Sequence, residues 1–444
     1  MFEKFVALGE RWRWFGRVVS LIKWLYPGMR VKRWMLVVLL GALMNTVGLV
    51  LVLGLRVVDY LAAMDAAVYR YTGRFFPAAT DFFGLGIAFL GVLAIFVGVR
   101  QVVRSVTSVI SPQHHKQLAD VIYRRRYLAS GERVVAIGGG TGLSTLLRGL
   151  KEYTSNITAI VTVTDDGGSS GRLIREFGIL PPGDLRNCLV AMADEEHLMS
   201  KLLQYRFNGC YSELDGHSFG NLFLTAMTQI TGDFEQAVRE TGRVLAIRGL
   251  VLPSTTDPVV LEAELIDGRV IRGETAITKA GVSQTLSRLR LVPEDVPALE
   301  DAVDAILKAA LIVIGPGSVY TSVVPNLLVK EIAKAVSETK AVRVYVCNVM
   351  TQPGETDGYA ASDHVRAIER QFNGRPFDYV VVNTRVPAEE VLKRYAEEGA
   401  YWVRPDVDRI RQMGYRVLTG DFISDQDLVR HDSMALARAV LSLV

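Results

Sequence analysis

The chain has 444 residues, half of them apolar, and its 50 Lys and Arg nearly balance 47 Asp and Glu, for a net charge of +3. A length of this order accommodates about two or three domains. The apolar content is high for a purely soluble protein, and the small charge argues against a nucleic-acid partner. Cys188, Cys210 and Cys347 match no metal-ligand spacing, so we expect packing roles in a reducing compartment.

Residues 1–33 form a basic, amphipathic segment ahead of the first apolar run. Apolar side chains recur at spacings of three and four and predict a helix over 2–26. They are Phe5, Leu8, Trp12, Phe15, Val19 and Ile22. A basic, aromatic-rich helix beside a membrane span is typical of the lipid interface. A soluble helix packed on the rest of the protein is the alternative.

Two uncharged apolar runs follow, Trp34–Leu55 and Phe82–Val99. Each is close to the roughly 20 residues that cross a hydrocarbon core. Charged residues bracket both runs, which favours a two-helix transmembrane hairpin over 34–100 rather than two buried core helices. Lys and Arg are concentrated before the first run and after the second, in the basic linker 101–131. The positive-inside rule therefore predicts a cell-membrane protein whose N-terminus and C-terminal domain are cytoplasmic, with a short external loop.

From 132 to 444, short apolar runs alternate with helical patterns. Strands are predicted at 133–138, 157–163, 244–251, 311–314, 342–347 and 378–383. Continuous runs rich in Val and Ile are typical of strands buried on both faces of a parallel sheet. The predicted fold is a Rossmann-like, doubly wound α/β sheet with ligands at the carboxyl ends of its strands. Val259–Ile266 and Arg269–Arg272, joined by Asp-Gly, predict a small antiparallel insert.

The first predicted strand runs into a glycine-rich loop. Gly139, Gly140, Thr141 and Gly142 precede a helix whose free N–H groups and positive dipole end could approach a phosphate. A tight strand-to-helix turn is the alternative use of these glycines. The spacing fits neither G-x-G-x-x-G nor a Walker A loop, which weakens an interpretation as NAD-linked redox chemistry.

The loop after the second strand combines acids, hydroxyls and a guanidinium. Its candidate ligand groups are Asp165, Asp166, Ser169, Ser170 and Arg172. The acids could hold ribose hydroxyls, or a Mg²⁺ ion that bridges phosphates. A helix cap accounts for one acid but not for the whole run. Arg172 is a candidate bidentate partner for phosphate.

Two further helix starts carry polar groups. Asp184, Arg186 and Asn187 follow a Pro-Pro-Gly turn, and Arg186 could pair with Asp184 or with a ligand phosphate. His217 and Asn221 open another helix, where His217 could act as an acid or base, or as a structural hydrogen-bonding group. No Ser-His-Asp relay can be assigned. The catalytic candidates are Asp165, Asp166 and His217.

Three more strand ends complete the predicted crevice. The loop after 311–314 offers backbone groups to an anion or a sugar, and the loops after the next two strands offer amides and hydroxyls to a base or a sugar. The candidates are Gly315, Gly317, Ser318, Asn348, Thr351, Gln352 and Asn383. All these strand ends are expected to share one crevice.

Six sequence motifs of this chain are distinctive in combination. They are Ala136–Gly142, Val161–Arg172, Leu180–Arg186, His217–Leu222, Gly315–Ser318 and Asn348–Thr356. In combination they resemble the YvcK branch of the CofD-like superfamily, also called the gluconeogenesis factors, over about 132–440. The resemblance implies a Rossmann-like fold, a link to central carbon metabolism, cell shape and envelope synthesis, and a nucleotide-sugar ligand such as a UDP-sugar.

The related CofD branch is a Mg²⁺-dependent transferase of a phospholactyl group from a guanosine diphosphate donor. Two functions therefore stay open: a membrane-tethered nucleotide-sugar-binding regulator with no certain cofactor, and a transferase in which Asp165 and Asp166 hold Mg²⁺. The membrane hairpin departs from the wholly soluble form of many relatives. Small-residue pairs within it, Gly84/Ala88 and Ala94/Gly98, could bring spans together and would suit a homodimer.

Overall fold

The computed structural model divides the chain into two units, Met1–Tyr123 and Arg124–Val444. The structure describes residues 31–52, 58–73, 79–110, 127–194, 197–209, 213–281, 286–372, 374–424 and 429–444. The helix predicted over 2–26, most of the predicted linker and Cys210 lie outside these residues. Cys188 and Cys347 are buried.

The first unit contains three helices. They are α1 (Val31–Val52), α2 (Val58–Thr72) and α3 (Ala79–Ile110). By length and composition α1 and α3 could each cross a membrane, over Trp34–Val52 and Gly84–Val102. The structure adds α2 in the segment predicted as a loop. It also extends α3 beyond residue 100, because no Gly or Pro interrupts the chain before Pro112.

Helices α1 and α3 pack through glycines spaced seven residues apart. These are Gly41 and Gly48 on α1, and Gly84, Gly91 and Gly98 on α3. A Cβ on Gly48 would lie 2.7 Å from the carbonyl oxygen of Gly84, and one on Gly91 would lie 2.7 Å from that of Gly41. A seven-residue period is typical of helices in a left-handed supercoil. The small residues that were predicted to bring spans together therefore pack the two helices of one chain against each other.

The second unit is built on a seven-stranded parallel sheet in the order β3-β2-β1-β7-β8-β9-β10. Its strands are β1 (Val134–Gly138), β2 (Ile157–Val161), β3 (Leu250–Pro253), β7 (Leu311–Ile314), β8 (Val342–Val346), β9 (Tyr379–Asn383) and β10 (Arg416–Gly420). Alternate residues of β1 enter different apolar clusters, Val135 and Ile137 on one face and Val134 and Ala136 on the other. Both faces of the sheet are thus covered, which confirms the predicted doubly wound α/β fold.

Helices cover both faces of this sheet. They are α4 (Gly140–Leu150), α5 (Gly168–Phe177), α6 (Gly183–Met192), α7 (His197–Gln204), α8 (Phe219–Thr231), α9 (Phe234–Val244), α10 (Glu274–Ala280), α11 (Glu300–Lys308), α12 (Val324–Leu328), α13 (Lys330–Glu338), α14 (Ala361–Phe372), α15 (Glu389–Glu397), α16 (Val407–Gln412) and α17 (Ser433–Leu441). A π-helical turn, Val319–Val323, precedes α12. The strand predicted at 244–251 is wrong at its start, because Val244 ends α9 and Gly249 turns the chain with φ +105°.

An antiparallel sheet in the order β5-β4-β6 forms the predicted insert. It comprises β4 (Val260–Leu265), β5 (Val270–Arg272) and β6 (Leu286–Val292). The hairpin of β4 and β5 was predicted, whereas β6 was not, although its alternating leucines and arginines fit a strand with one buried face. Glu262 on β4 is buried and pairs with Arg272 and Arg290. Helix α10 lies between β5 and β6 in the chain.

Strand β1 has β2 on one side and β7 on the other, so the strand order reverses between β1 and β7. In open α/β sheets the crevice at such a switch point, at the carboxyl ends of the strands, is the usual ligand site. The glycine-rich loops at 138–142 and 314–318 leave the sheet at this point. The fold therefore places two of the predicted ligand loops side by side.

Candidate functional site

The loops after β1, β7 and β8 form one continuous rim. A Cβ on Gly142 would overlap the carbonyl oxygen of Pro316, so only glycine permits this approach. Asn348 then holds the Gly317 peptide from both sides. Its Oδ1 accepts a hydrogen bond from the Gly317 N–H at 3.0 Å, and its Nδ2 donates to the Gly317 carbonyl at 2.8 Å. Gly315, with φ +74°, turns the chain between β7 and this contact.

Three helices begin on this rim, and in each of them the side chain of the N-cap residue makes no capping hydrogen bond. The caps are Gly139 for α4, Gly167 for α5 and Pro182 for α6. The helix starts are close together. A Cβ on Gly183 would lie 2.8 Å from Ser170 Oγ on α5, and one on Gly139 would lie 2.7 Å from the Asp184 carboxylate on α6. Three positive dipole ends therefore converge at the switch point, an arrangement that favours a bound anion.

Carboxylates lie among these helix starts. Asp184 accepts a hydrogen bond from the Gly140 N–H, and Asp165 Oδ1 accepts one from the Gly167 N–H at 2.9 Å. Burial raises the pKa of Asp184 to about 6, and the nearby Asp165 adds to the rise. Burial, Asp165 and Asp184 together raise the pKa of Glu274 to about 9. At neutral pH Glu274 therefore keeps its proton, because burial and the neighbouring carboxylates both disfavour its charged form.

Asp166 binds the insert, although its charge also contributes to the raised pKa of Glu274. Its Oδ1 accepts hydrogen bonds from the Thr275 N–H at 3.0 Å and from Thr275 Oγ1 at 2.7 Å. A Cβ on Gly273, which has φ +94°, would overlap the same carboxylate. Asp166 thus caps α10, and one member of the predicted metal pair is already engaged by the protein. Within the described ranges, no three His, Cys, Asp or Glu side chains form a ready-made metal site.

Glu355 is an acid that the sequence analysis did not single out. Its side chain is fully buried, and Oε1 accepts hydrogen bonds from Thr321 Oγ1 and Gln352 Nε2, both at 2.9 Å, and from Thr278 Oγ1 at 3.3 Å. Oε2 has no partner among the residues described. Burial raises the pKa of this carboxyl. Because Thr278 lies on α10, Glu355 ties the insert to the rim and helps to place Glu274 there.

Arg186 organises the first turn of α8. Its Nη1 donates to Ser218 Oγ and, at 2.8 Å, to Asn221 Oδ1, while Nη2 donates to Asn187 Oδ1 at 2.8 Å. Burial lowers the pKa of the guanidinium, and the nearby Arg206 lowers it further. The buried Nε has no partner among the described residues. Most donors of Arg186 are therefore used within the protein.

His217 belongs to the same network through a buried serine. Ser169 Oγ lies 2.9 Å from His217 Nδ1 and accepts a hydrogen bond from Asn221 Nδ2 at 3.2 Å. Burial and the guanidinium of Arg172 lower the pKa of His217, so the imidazole is neutral at pH 7. Arg172 itself donates to the Asp215 carbonyl at 2.6 Å. The structure thus brings Ser169, Arg186, Asn187, His217 and Asn221 into one network beside α5.

Several predicted ligand groups on the β8–β9 side serve the backbone instead. Thr351 Oγ1 accepts from the Tyr401 N–H at 2.8 Å. Asn383 accepts from the Phe422 N–H at 3.1 Å and donates to the Arg385 carbonyl at 2.7 Å. These groups hold neighbouring loops together.

Three predicted positions remain. Ser318 donates to Gln352 Oε1, and the amide of Gln352 donates to Glu355. Thr141, at the start of α4, is exposed on the rim.

Known proteins are similar to the part of the chain that carries this site. Residues 134–423 match the family model of 2-phospho-L-lactate transferase CofD. The gluconeogenesis factor of Bacillus subtilis is 48% identical over 313 residues, which cover 70% of this chain and 98% of the relative. A relative from Nostoc sp. that carries the same name provisionally is 47% identical over 428 residues, 96% of this chain and 93% of its own.

Solved structures give the same result. A crystal structure from Bacillus halodurans superposes with a TM-score of 0.68 at 47% identity, over 70% of this chain and 100% of that chain. A second crystal structure from that organism, described as a UPF0052 family member, has a TM-score of 0.66 at 46% identity. The first of these crystallised chains aligns over its whole length with 70% of this chain, so that relative folds without a counterpart of the remainder.

Proposed function

This chain belongs to the CofD family, in the branch of the gluconeogenesis factors, and we propose that its rim binds a nucleotide sugar of the UDP-sugar type. We place the protein as a membrane-tethered regulator of central carbon metabolism, cell shape and envelope synthesis. The family supports the metabolic role, and the geometry of the rim supports the ligand.

The observation that carries the ligand class is the convergence of α4, α5 and α6 on the switch point. The N-cap residue of each helix makes no side-chain capping hydrogen bond. Glycine at 139, 140 and 142 lets the loops approach one another closely. A diphosphate is an anion of suitable size and charge for such a set of backbone N–H groups. The base and the sugar would extend from it along the rim.

Mg²⁺ fits this rim through Asp165 and Asp184 rather than through Asp165 and Asp166. Burial first, and then the neighbouring carboxylates, raise the pKa values of Asp184 and Glu274, and a bound cation would relieve the repulsion among these carboxylates. Asp166 is occupied by Thr275 and is the weaker candidate. Bound Mg²⁺ would bridge carboxylates and the oxygens of a diphosphate, as it does in other nucleotide sites.

Calorimetry tests the ligand. The body, residues 124–444, is titrated with UDP-glucose, UDP-N-acetylglucosamine, GDP, NAD and inorganic phosphate, with and without Mg²⁺. We expect a UDP-sugar to bind with 1:1 stoichiometry, and Mg²⁺ to strengthen binding in the parent but not in Asp165→Asn. Flat traces for every nucleotide would refute the proposal.

A Mg²⁺-dependent transferase is the second candidate, favoured by the acid cluster and by the matched family model. In this case Asp165 and Asp184 would hold the metal, and Arg172 would neutralise charge that develops on the diphosphate. Turnover of a nucleoside diphosphate donor, abolished by Asp165→Asn, is the expected result. A product that forms without Mg²⁺ and regardless of Asp165 would count against it.

The proposed membrane anchor rests on the surface of the first unit. Only 11% of each apolar window is buried, whereas the core helix of a soluble protein is mostly buried. Large apolar side chains elsewhere on these helices are exposed, such as Leu39 at 64% and Phe89 at 68%. Lipid would cover them. The full chain should stay in the membrane pellet after alkaline carbonate extraction, and residues 124–444 should be released; release of both would exclude a span.

The orientation and the homodimer stay predictions. Protease protection of tags at either end of the full chain tests the cytoplasmic placement of both. A dimer would have to use residues other than the glycines through which α1 and α3 pack, since these are already in contact within one chain. Native mass spectrometry of the detergent-solubilised chain measures the oligomeric state directly.

A further inference from the structure

A cavity of about 480 Å³ lies along β6 of the insert, between this strand and the helices α12, α13 and α14. None of its lining residues belongs to the rim. Its polar lining includes Ser287, Arg288, Arg290, Lys330, Arg370 and Gln371. Four cations against a single lining carboxylate, Glu294, make this an electropositive cavity.

Two of the four cations already have close carboxylate partners. Arg290 pairs with the buried Glu262, and Lys330 pairs with Asp295. The other two have donors to spare. The nearest carboxylate to Arg288 is Glu294 at 3.8 Å, and Arg370 makes no hydrogen bond or ion pair within the part of the chain that the structure describes. Arg288 and Arg370 are therefore the groups that can take an added anion.

The remaining lining restricts the chemistry of that anion. The cavity has no aromatic side chain on which a base could stack, which argues against a nucleotide. Gln371 Oε1 accepts from the Leu289 N–H at 3.0 Å, which leaves its amide N–H groups and the Ser287 hydroxyl for neutral hydroxyl partners. The volume is within the range of small-molecule sites, roughly 300–1,000 Å³.

We propose that this β6 cavity is a second ligand site, separate from the rim, which binds a small phosphorylated sugar with its phosphate between Arg288 and Arg370. Guanidinium groups suit phosphate because they donate two parallel, charge-assisted hydrogen bonds. The sugar hydroxyls lie toward Ser287 and Gln371. Charged side chains on an edge strand also discourage pairing with other chains, but that role alone requires no ligand.

Calorimetry on residues 124–444 tests the site, with glucose 6-phosphate, inorganic phosphate and glucose as probes. We expect glucose 6-phosphate to bind with 1:1 stoichiometry, phosphate to bind more weakly and glucose not at all. Arg288→Gln with Arg370→Gln should weaken glucose 6-phosphate binding by at least about tenfold, the effect of roughly 1.4 kcal/mol. Arg370→Gln alone should weaken it as well, and its fold is secure because Arg370 is exposed and unpaired.

Two controls separate this site from the rim and from general charge effects. Lys308→Gln removes an exposed cation paired with Asp304, and Asp184→Asn alters the rim; both should bind glucose 6-phosphate like the parent. The proposal is overturned if neither phosphate probe binds, if phosphate binds as tightly as glucose 6-phosphate, if the arginine variants bind normally, or if only Asp184→Asn loses binding.

Discussion

The β1–β2 half and the β8–β9 half of the carboxyl edge carry equally polar loops but use them differently. On the β8–β9 side, Asn348, Thr351 and Asn383 direct their hydrogen bonds to neighbouring backbone groups. On the β1–β2 side, three helices start at N-cap residues whose side chains make no capping hydrogen bond. Burial also raises the pKa of Asp184 there to about 6. Helix starts whose N-cap residues make no side-chain capping bond and shifted carboxyl pKa values, rather than polarity alone, therefore support our proposal that the ligand binds on the β1–β2 side.

The largest effect is expected at Gly142, where the two loops of the switch point meet. In Gly142→Ala the new Cβ overlaps the Pro316 carbonyl, so we expect a loss of about 3 kcal/mol in the free energy of unfolding and no UDP-sugar binding. Gly317→Ala is the matched control, because its Cβ would lie 3.4 Å from Ser322 Cβ, an ordinary contact. Urea unfolding and calorimetry measure both. Equal effects would mean that the close approach is not required.

The titration of Glu274 should make the free energy of unfolding depend on pH, and this dependence tests the charge of the β1–β2 half. Its pKa rises from 4.5 to about 9 on folding. Between these values the folded state holds a proton that the unfolded state releases, so stability falls as pH rises. Glu274→Gln removes this dependence and should be more stable than the parent by on the order of 2 kcal/mol at pH 6, with almost no difference near pH 4.5.

Urea unfolding at several pH values checks this, and Asp184→Asn should reduce the same slope by removing a neighbouring charge. Added Mg²⁺ should narrow the difference between Glu274→Gln and the parent at pH 8. A difference that is constant with pH would contradict the proposed charge cluster.

Asn383 tests the opposite half. Asn383→Ala removes two hydrogen bonds to backbone groups, one within its own loop and one to the loop after β10, and should lower the free energy of unfolding by about 1–2 kcal/mol. The affinity for a UDP-sugar should be unchanged, because the amide serves the scaffold. Thermal unfolding and calorimetry on the same variant give both values. A variant of normal stability that loses the ligand would place the binding site on the β8–β9 side.

The smallest effect on stability is expected at Asp166, and a comparison with Asp165 tests which of these two acids binds Mg²⁺. Asp166→Asn keeps the acceptor oxygen for Thr275 and should cost less than about 1 kcal/mol, with Mg²⁺ binding retained. Asp165→Asn should lose Mg²⁺ binding. Equilibrium dialysis with Mg²⁺ compares the two variants. Loss in Asp166→Asn alone would reverse their assigned roles.

The sequence predicts most of the parallel sheet because β1, β2, β7, β8 and β9 are mainly apolar runs rich in Val and Ile. It misses β10, where Arg416 and Thr419 interrupt the run, and β6, where arginines alternate with leucines. In both cases tertiary packing decides the structure, since β10 completes a sheet edge beside β9 and β6 pairs with β4. Local pattern carries little information at such edges.

The loops of the site were predictable for the same reason, since each follows a recognisable strand. The roles of single residues were not. Glu274 reaches the rim from the insert, and Thr164, which contacts it at 3.4 Å, is separated from it by 110 positions in the chain. Asn383 looks free in the sequence because its partner, Phe422, follows 39 positions later. Which polar group is already satisfied depends on contacts that only the folded chain makes.

The central claim is that a nucleotide sugar places its diphosphate at the amino ends of α4, α5 and α6. A crystal structure of residues 124–444 grown with a UDP-sugar and Mg²⁺ tests it most directly. We predict diphosphate density between Gly142 and Gly168, with the metal on Asp165 and Asp184. Diphosphate density over the loops after β8 and β9, or in the β6 cavity, would contradict the claim.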